Sequence, residues 1–103
     1  MNLPLEYHRV DSPAPSPGLT GNVSQGGLLF YSSEKMEVGQ QLGLKLFFPL
    51  GSELTSIEAL AKLVRVDASA DEKWGRYSCG VKFLQLNHED ETKLAEFSKT
   101  ISP

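Results

Sequence analysis

From Leu19 onward the chain is built of short apolar runs separated by turn residues. Leu28-Leu29-Phe30-Tyr31 follows Gly26-Gly27 and reads as a strand. Glu37-Val38-Gly39-Gln40 reads as a turn, after which Gln41 to Pro49 alternates around Leu42, Leu44, Leu46 and Phe48. Pro49-Leu50-Gly51-Ser52 breaks that run. Arg76 to Leu86 alternates again, with Tyr77, Cys79, Val81 and Phe83 on one face and Ser78, Gly80, Lys82 and Leu84 on the other. Period-two runs bounded by Gly, Pro, Ser and Asp are the strand signature, because successive side chains of a strand point to opposite faces.

Thr55 to Val66 fits two patterns. Ile57, Leu60 and Val64 make a helical stripe, and Ala59 and Ala61 favour a helix by propensity. Strict alternation instead puts Ile57, Ala59, Ala61 and Leu63 on one face, and the β-branched end Val64-Arg65-Val66 favours a strand. Asp67 to Gly75 follows as a polar loop. The clearest helix is C-terminal: Asn87 can cap it, Glu89, Asp90 and Glu91 suit the positive end of its dipole, and Lys99 suits the other. Leu94, Phe97 and Ile101 recur at spacings of three and four and form one apolar stripe. The outline is about five strands and a terminal helix packed on them.

Met1 to Leu19 has a different texture. Pro13, Pro15 and Pro17 alternate with Ser12, Ala14 and Ser16; each proline fixes its own φ and pushes the preceding residue toward extended geometry. This predicts a flexible Pro-rich arm over residues 1–18 and a folded domain over residues 19–103.

Length and charge narrow the class. At 103 residues a second independent core has no room. Ten Lys and Arg against thirteen Asp and Glu give a net charge of −3, shared between the halves of the chain. That argues against DNA or RNA partners, which need clustered positive charge to displace counterions. No apolar run approaches the ~20 residues that span a bilayer, so no membrane insertion is expected. The single Cys79 excludes an internal disulfide. A cytoplasmic, soluble domain is the expectation.

Catalytic chemistry finds little support. His8 and His88 lie in different segments with no Cys or carboxylate at a metal-like spacing. Cys79 alternates with Tyr77 and Val81, as a buried inert thiol would. Ser24 lacks the strained elbow of a hydrolase nucleophile. No enzyme activity, no metal and no cofactor are expected.

Asn22-Val23-Ser24-Gln25-Gly26-Gly27 carries more. Asn and Ser two apart on an extended chain share a side and can both aim at one planar ligand edge. Gly27 removes a side chain where a ligand or another chain segment must approach closely. An ordinary β-turn has the same composition for local reasons. The setting adds to the signal: the segment has the form (D/N)xSxxG, an apolar strand follows at once, and Gly80-Val81-Lys82-Phe83 precedes the final helix. In that ordered set the chain resembles the PilZ domain, a bacterial family of receptors for cyclic di-GMP. The resemblance covers roughly Leu3 to Ile101. It implies an all-β fold, a six-stranded antiparallel barrel with a C-terminal α-helix, and so makes Ile57 to Val66 a strand.

The family's second signature is an RxxxR motif on a flexible N-terminal segment. Leu5-Glu6-Tyr7-His8-Arg9 fits best, with Arg9 as the second arginine and Leu5 in place of the first. A second alignment makes Leu3-Pro4-Leu5-Glu6-Tyr7 the first barrel strand and places both arginines before Met1. The resemblance thus implies a non-enzymatic cyclic di-GMP receptor in which Asn22 and Ser24 bond a guanine edge, Gly27 permits close approach, and Arg9 closes over the ligand. Arginine forks pair with phosphate or guanine, and one charge-assisted bond contributes about 1.5–3 kcal/mol, so an incomplete pair implies weakened binding. Closure of the arm would then be read by a protein partner. The alternative is a degenerate PilZ domain that binds no nucleotide and serves as a protein-interaction module in motility or pilus assembly.

Overall fold

Six alternating segments close on one another in a computed structural model that describes residues 2–12, 14–69 and 75–101, without the side chains of residues 100 and 101. The strands are β1 (Pro4–Arg9), β2 (Ser16–Val23), β3 (Gly27–Ser32), β4 (Gln41–Leu50), β5 (Glu53–Ala68) and β6 (Tyr77–Leu86), followed by helix α1 (His88–Ile101). Every pairing is antiparallel, and the order β1-β2-β3-β6-β5-β4 closes by pairing β4 with β1. Closure leaves no sheet edge exposed to another chain. The six-stranded barrel with a C-terminal helix is therefore the fold.

The stretch expected to be a flexible arm is mostly barrel. Residues 4–9 form β1, hydrogen-bonded on both sides, and residues 16–18 open β2. Leu3, Leu5 and Tyr7 alternate inward and are buried, which is the pattern the proline-rich composition downstream obscured. Pro17 is an exposed residue of β2 beside Glu6. The second alignment is thus the one the strands support: Leu5 is a core residue, 2% exposed, and not a position on a ligand-binding arm.

Ile57 to Val66 lies within β5, and its alternating set Ile57, Ala59, Ala61 and Leu63 faces the core. Two register shifts explain why the sequence also fitted a helix. Leu84 on β6 and Val64 on β5 are extra residues at these shifts. A bulge leaves its extra residue unpaired and bends the strand, and here Val64 is 51% and Leu84 44% exposed. Asp67 and Ala68, expected in a loop, continue β5, while residues 70–74 of that loop lie outside the described residues. Gly51 turns β4 into β5 with φ of 66°, a region L side chains rarely adopt.

Phe30, Leu42, Phe48, Ala61, Leu63 and Cys79 fill the barrel with no exposed surface. Helix α1 seals the end at which β4 passes into β5. Leu94 and Phe97 are buried, and Phe97 packs on Phe48 with ring centroids 4.6 Å apart; Ile101, expected in the same stripe, has its side chain outside the described set. Asn87 caps the helix as expected, its Oδ1 accepting from the Asp90 N–H at 2.8 Å. Asp90 Oδ2 in turn accepts from the Glu58 N–H of β5 at 3.1 Å, which fixes the helix to the barrel rim.

Candidate functional site

The turn joining β2 to β3 is built by Ser24. Its N–H donates to the Gly27 carbonyl at 2.9 Å and its hydroxyl donates to the same oxygen at 3.1 Å. Gly26 then accepts from the Phe83 N–H at 2.9 Å, tying the turn to β6. Asn22, just before the turn, is exposed and its side chain makes no hydrogen bond among the described residues. Gly27 is buried, and a Cβ there would stand 2.1 Å from the Val81 carbonyl oxygen. The close approach that demands glycine at 27 is made by the neighbouring strand.

Asn22, Ser24 and Gly27 line one open hollow of about 360 Å³ on the outer face of the barrel, floored by Gly80 and flanked by Arg65 and Lys82. Register explains the gathering: Asn22 pairs with Leu29, Leu29 with Gly80 and Gly80 with Arg65, across four adjacent strands. Arg65 donates from Nε to Asp67 Oδ2 and its side chain is 75% exposed. Sequence reasoning gave Arg65 and Lys82 no role at the site, although Lys82 lies in the Gly80–Phe83 segment, since only strand order brings them to the turn.

Arg9 is not at this hollow. It ends β1 opposite Leu42, whereas the turn at 24–27 lies beyond the first residues of β1. The two lie at opposite ends of β1 and line different cavities. Arg9 instead pairs with Glu34, Nη2 to Oε1 at 2.8 Å, beside a separate cavity lined by Lys35, Met36 and Gln40. Glu34 Oε2 accepts from Tyr7 Oη at 3.4 Å, and Tyr7 Oη shares a 2.7 Å hydrogen bond with Ser32 Oγ. Burial, above all, raises the Tyr7 hydroxyl pKa. The structure thus sets Arg9 with Glu34 and not over the Asn22 and Ser24 edge where it was expected.

The profile of the PilZ domain matches residues 1–99. The chain belongs to the PilZ domain family. This is a bacterial family of cyclic di-GMP receptor and adaptor modules that are generally without enzymatic activity. The PilZ barrel superposes on the Bacillus subtilis inhibitor of motility (MotI/DgrA) with a TM-score of 0.80 and 18% identity, over 97% of this chain and 46% of that one. It superposes on the PilZ domain of CeSA from a cellulose-synthesizing bacterium with a TM-score of 0.66 and 16% identity, over 100% and 95% of the two chains. At these identities the likeness is one of fold. The chain spans less than half of the MotI/DgrA structure. No curated protein matches the sequence.

Among the described residues no cluster of His, Cys, Asp or Glu could hold a metal ion, and no helix is long and apolar enough to cross a membrane. Cys79 is fully buried in the PilZ core, and burial pushes its thiol up to about 11 from an ordinary 9.0. The folded state thus holds this proton more tightly than the unfolded chain does. The associated stability is complete below pH 9 and is lost as pH rises through about 11. Urea midpoints measured between pH 8 and 11 should fall more steeply for wild type than for Cys79→Ala. Parallel slopes would show that the thiol titrates alike in both states. The same burial predicts that iodoacetamide leaves the native thiol unmodified at neutral pH.

Proposed function

We propose that this PilZ domain is a non-enzymatic cyclic di-GMP receptor that reads the nucleotide at the hollow beside the β2–β3 turn. The observation that carries the reading is Asn22: an amide with no hydrogen-bond partner among the described residues, exposed at the mouth of a hollow that also holds Ser24, Arg65 and Lys82. An unsatisfied amide can give and take hydrogen bonds at a guanine edge, while nearby cations favour the phosphodiester anion. Ser24 serves the site by shaping its turn. The reading places the domain in the cytoplasm, where occupancy of the hollow would be read by a protein partner.

Isothermal titration with cyclic di-GMP tests this. Asn22→Ala should weaken binding about tenfold, the worth of one or two hydrogen bonds, and leave the melting temperature unchanged. Ser24→Ala should weaken binding and also lower stability by about 1 kcal/mol, because its turn bond goes with it. A second reading, a PilZ module that binds protein and no nucleotide, is favoured by the absence of any arginine of β1 at the hollow: Leu5 is core and Arg9 is held by Glu34. Wild-type protein that gives no heat at high-micromolar cyclic di-GMP decides for that second reading.

A further inference from the structure

Lys62 on β5 and Lys82 on β6 stand directly opposite each other. Both are exposed, and neither makes a hydrogen bond or ion pair among the described residues. Like charges directly opposite on neighbouring strands destabilise a sheet. In a chain with thirteen carboxylates and a net charge of −3, the ready remedy would be a glutamate or aspartate at one of the two positions.

The surroundings of the pair are equally unusual. On its other side Lys82 pairs with Gly27, and Gly80, two residues earlier on the same face, pairs with Leu29 and Arg65. Gly27 of the turn therefore adjoins Lys82 directly, and Gly80 leaves bare backbone between Arg65 and the Leu29–Asn22 pair. Lys82 lies one strand spacing, about 5 Å, from Gly27. A ligand edge resting on Asn22 would extend over this glycine floor and bring its negative groups to the two ammonium groups.

We infer that Lys82, which lines the hollow beside Arg65, and Lys62, which stands opposite it on β5 just outside that lining, form a phosphate seat at the edge of the hollow and supply the charge that an N-terminal arginine pair would otherwise bring. The inference rests on the cyclic di-GMP reading above. An anion held between two ammonium groups replaces their mutual repulsion with two attractions. Lysine suits this role as a compact point charge on a flexible stem. Arg9 has no share in it, being held by Glu34 at the opposite end of the barrel. The apolar Val64 beside Arg65 offers the sugar or base a surface to rest on.

The test titrates cyclic di-GMP into wild type, Lys62→Gln, Lys82→Gln and the double variant. Lys45→Gln, on β4 and away from the hollow, serves as the charge-matched control. Each single variant should bind about fivefold more weakly and the double variant about twentyfold more weakly. The salt dependence of binding should flatten in the double variant, with the control within about twofold of wild type. Without ligand, the single variants should melt slightly higher than wild type at low ionic strength, a gain that salt removes as it screens the repulsion. Wild type that binds while every lysine variant binds equally well overturns the seat and leaves the receptor reading standing. Wild type that does not bind overturns the receptor reading and the seat with it. Ligand-free variants that melt no higher than wild type at low salt show that the lysines carry no unmet charge, which also overturns the seat.

Discussion

Gly27→Ala should cost this domain a large share of its stability, although the substitution adds one methyl group. The new Cβ would lie 2.1 Å from the Val81 carbonyl oxygen, 3.1 Å from its carbon and 3.2 Å from Lys82 Cα. All three are backbone atoms of β6, so no side-chain rotation can relieve the clash. Relief means moving β3 away from β6, and Gly27 is the first of six registered pairs between those strands. The same shift would disturb the Phe83–Gly26 hydrogen bond and the turn closed on the Gly27 carbonyl. Overpacking and broken backbone pairing together cost about 3–5 kcal/mol, against a total stability of about 5–15 kcal/mol for a small domain. Gly26→Ala is the control, because a Cβ there meets nothing within 4 Å. Thermal melts should place Gly26→Ala beside wild type and Gly27→Ala far below it. Equal melting temperatures would show that β6 can yield at Val81. The glycine of the motif is therefore a packing requirement, and loss of ligand binding in a Gly27 variant would report on the fold.

Leu5→Arg should be similarly damaging and should bring no gain in nucleotide affinity. Leu5 is 2% exposed, faces the barrel interior, and pairs with Gly18 on one side and Leu46 on the other. A guanidinium there carries five N–H donors into an apolar core with no acid to meet it. Removing the charge from water without a partner costs several kcal/mol. For a domain of this size each kcal/mol lowers the melting temperature by about 4–8 °C, so a fall of tens of degrees is expected. Differential scanning fluorimetry and cyclic di-GMP titration of the same preparation read both consequences. A variant that keeps the wild-type melting temperature and binds more tightly would put position 5 at the ligand and remove β1 from the barrel.

These two positions also show where sequence reasoning carried through and where it stopped. The family pattern at Asn22, Ser24 and Gly27 was legible because a motif is a local object, and local hydrogen bonds build the turn. What Gly27 accommodates was not legible, since Val81 is 54 positions away and arrives only through β6. Leu5 was read in two ways because Leu3, Leu5 and Tyr7 make a short alternation beside a proline-rich stretch. Pairing with both β2 and β4 decided between them. The segment from 55 to 66 satisfied helical and strand periods together, because a bulge at Val64 places an apolar residue where alternation alone would not.

By itself the sequence determined the local terms: alternating strands, the Asn87 cap and acidic first turn of α1, the buried thiol of Cys79, and the Asn-x-Ser-x-x-Gly turn. Each depends on residues within a few positions of one another, so period and spacing suffice to state it. Strand order and register were decided by the tertiary structure alone. They put Lys82 beside Gly27 and opposite Lys62, and they put Arg9 at the far end of the barrel from Asn22. The physical reason is that the free energy of closing the barrel is shared among pairings between distant segments. No local pattern encodes which residue of one strand will face which residue of the next, and the composition of the candidate site depends on that choice.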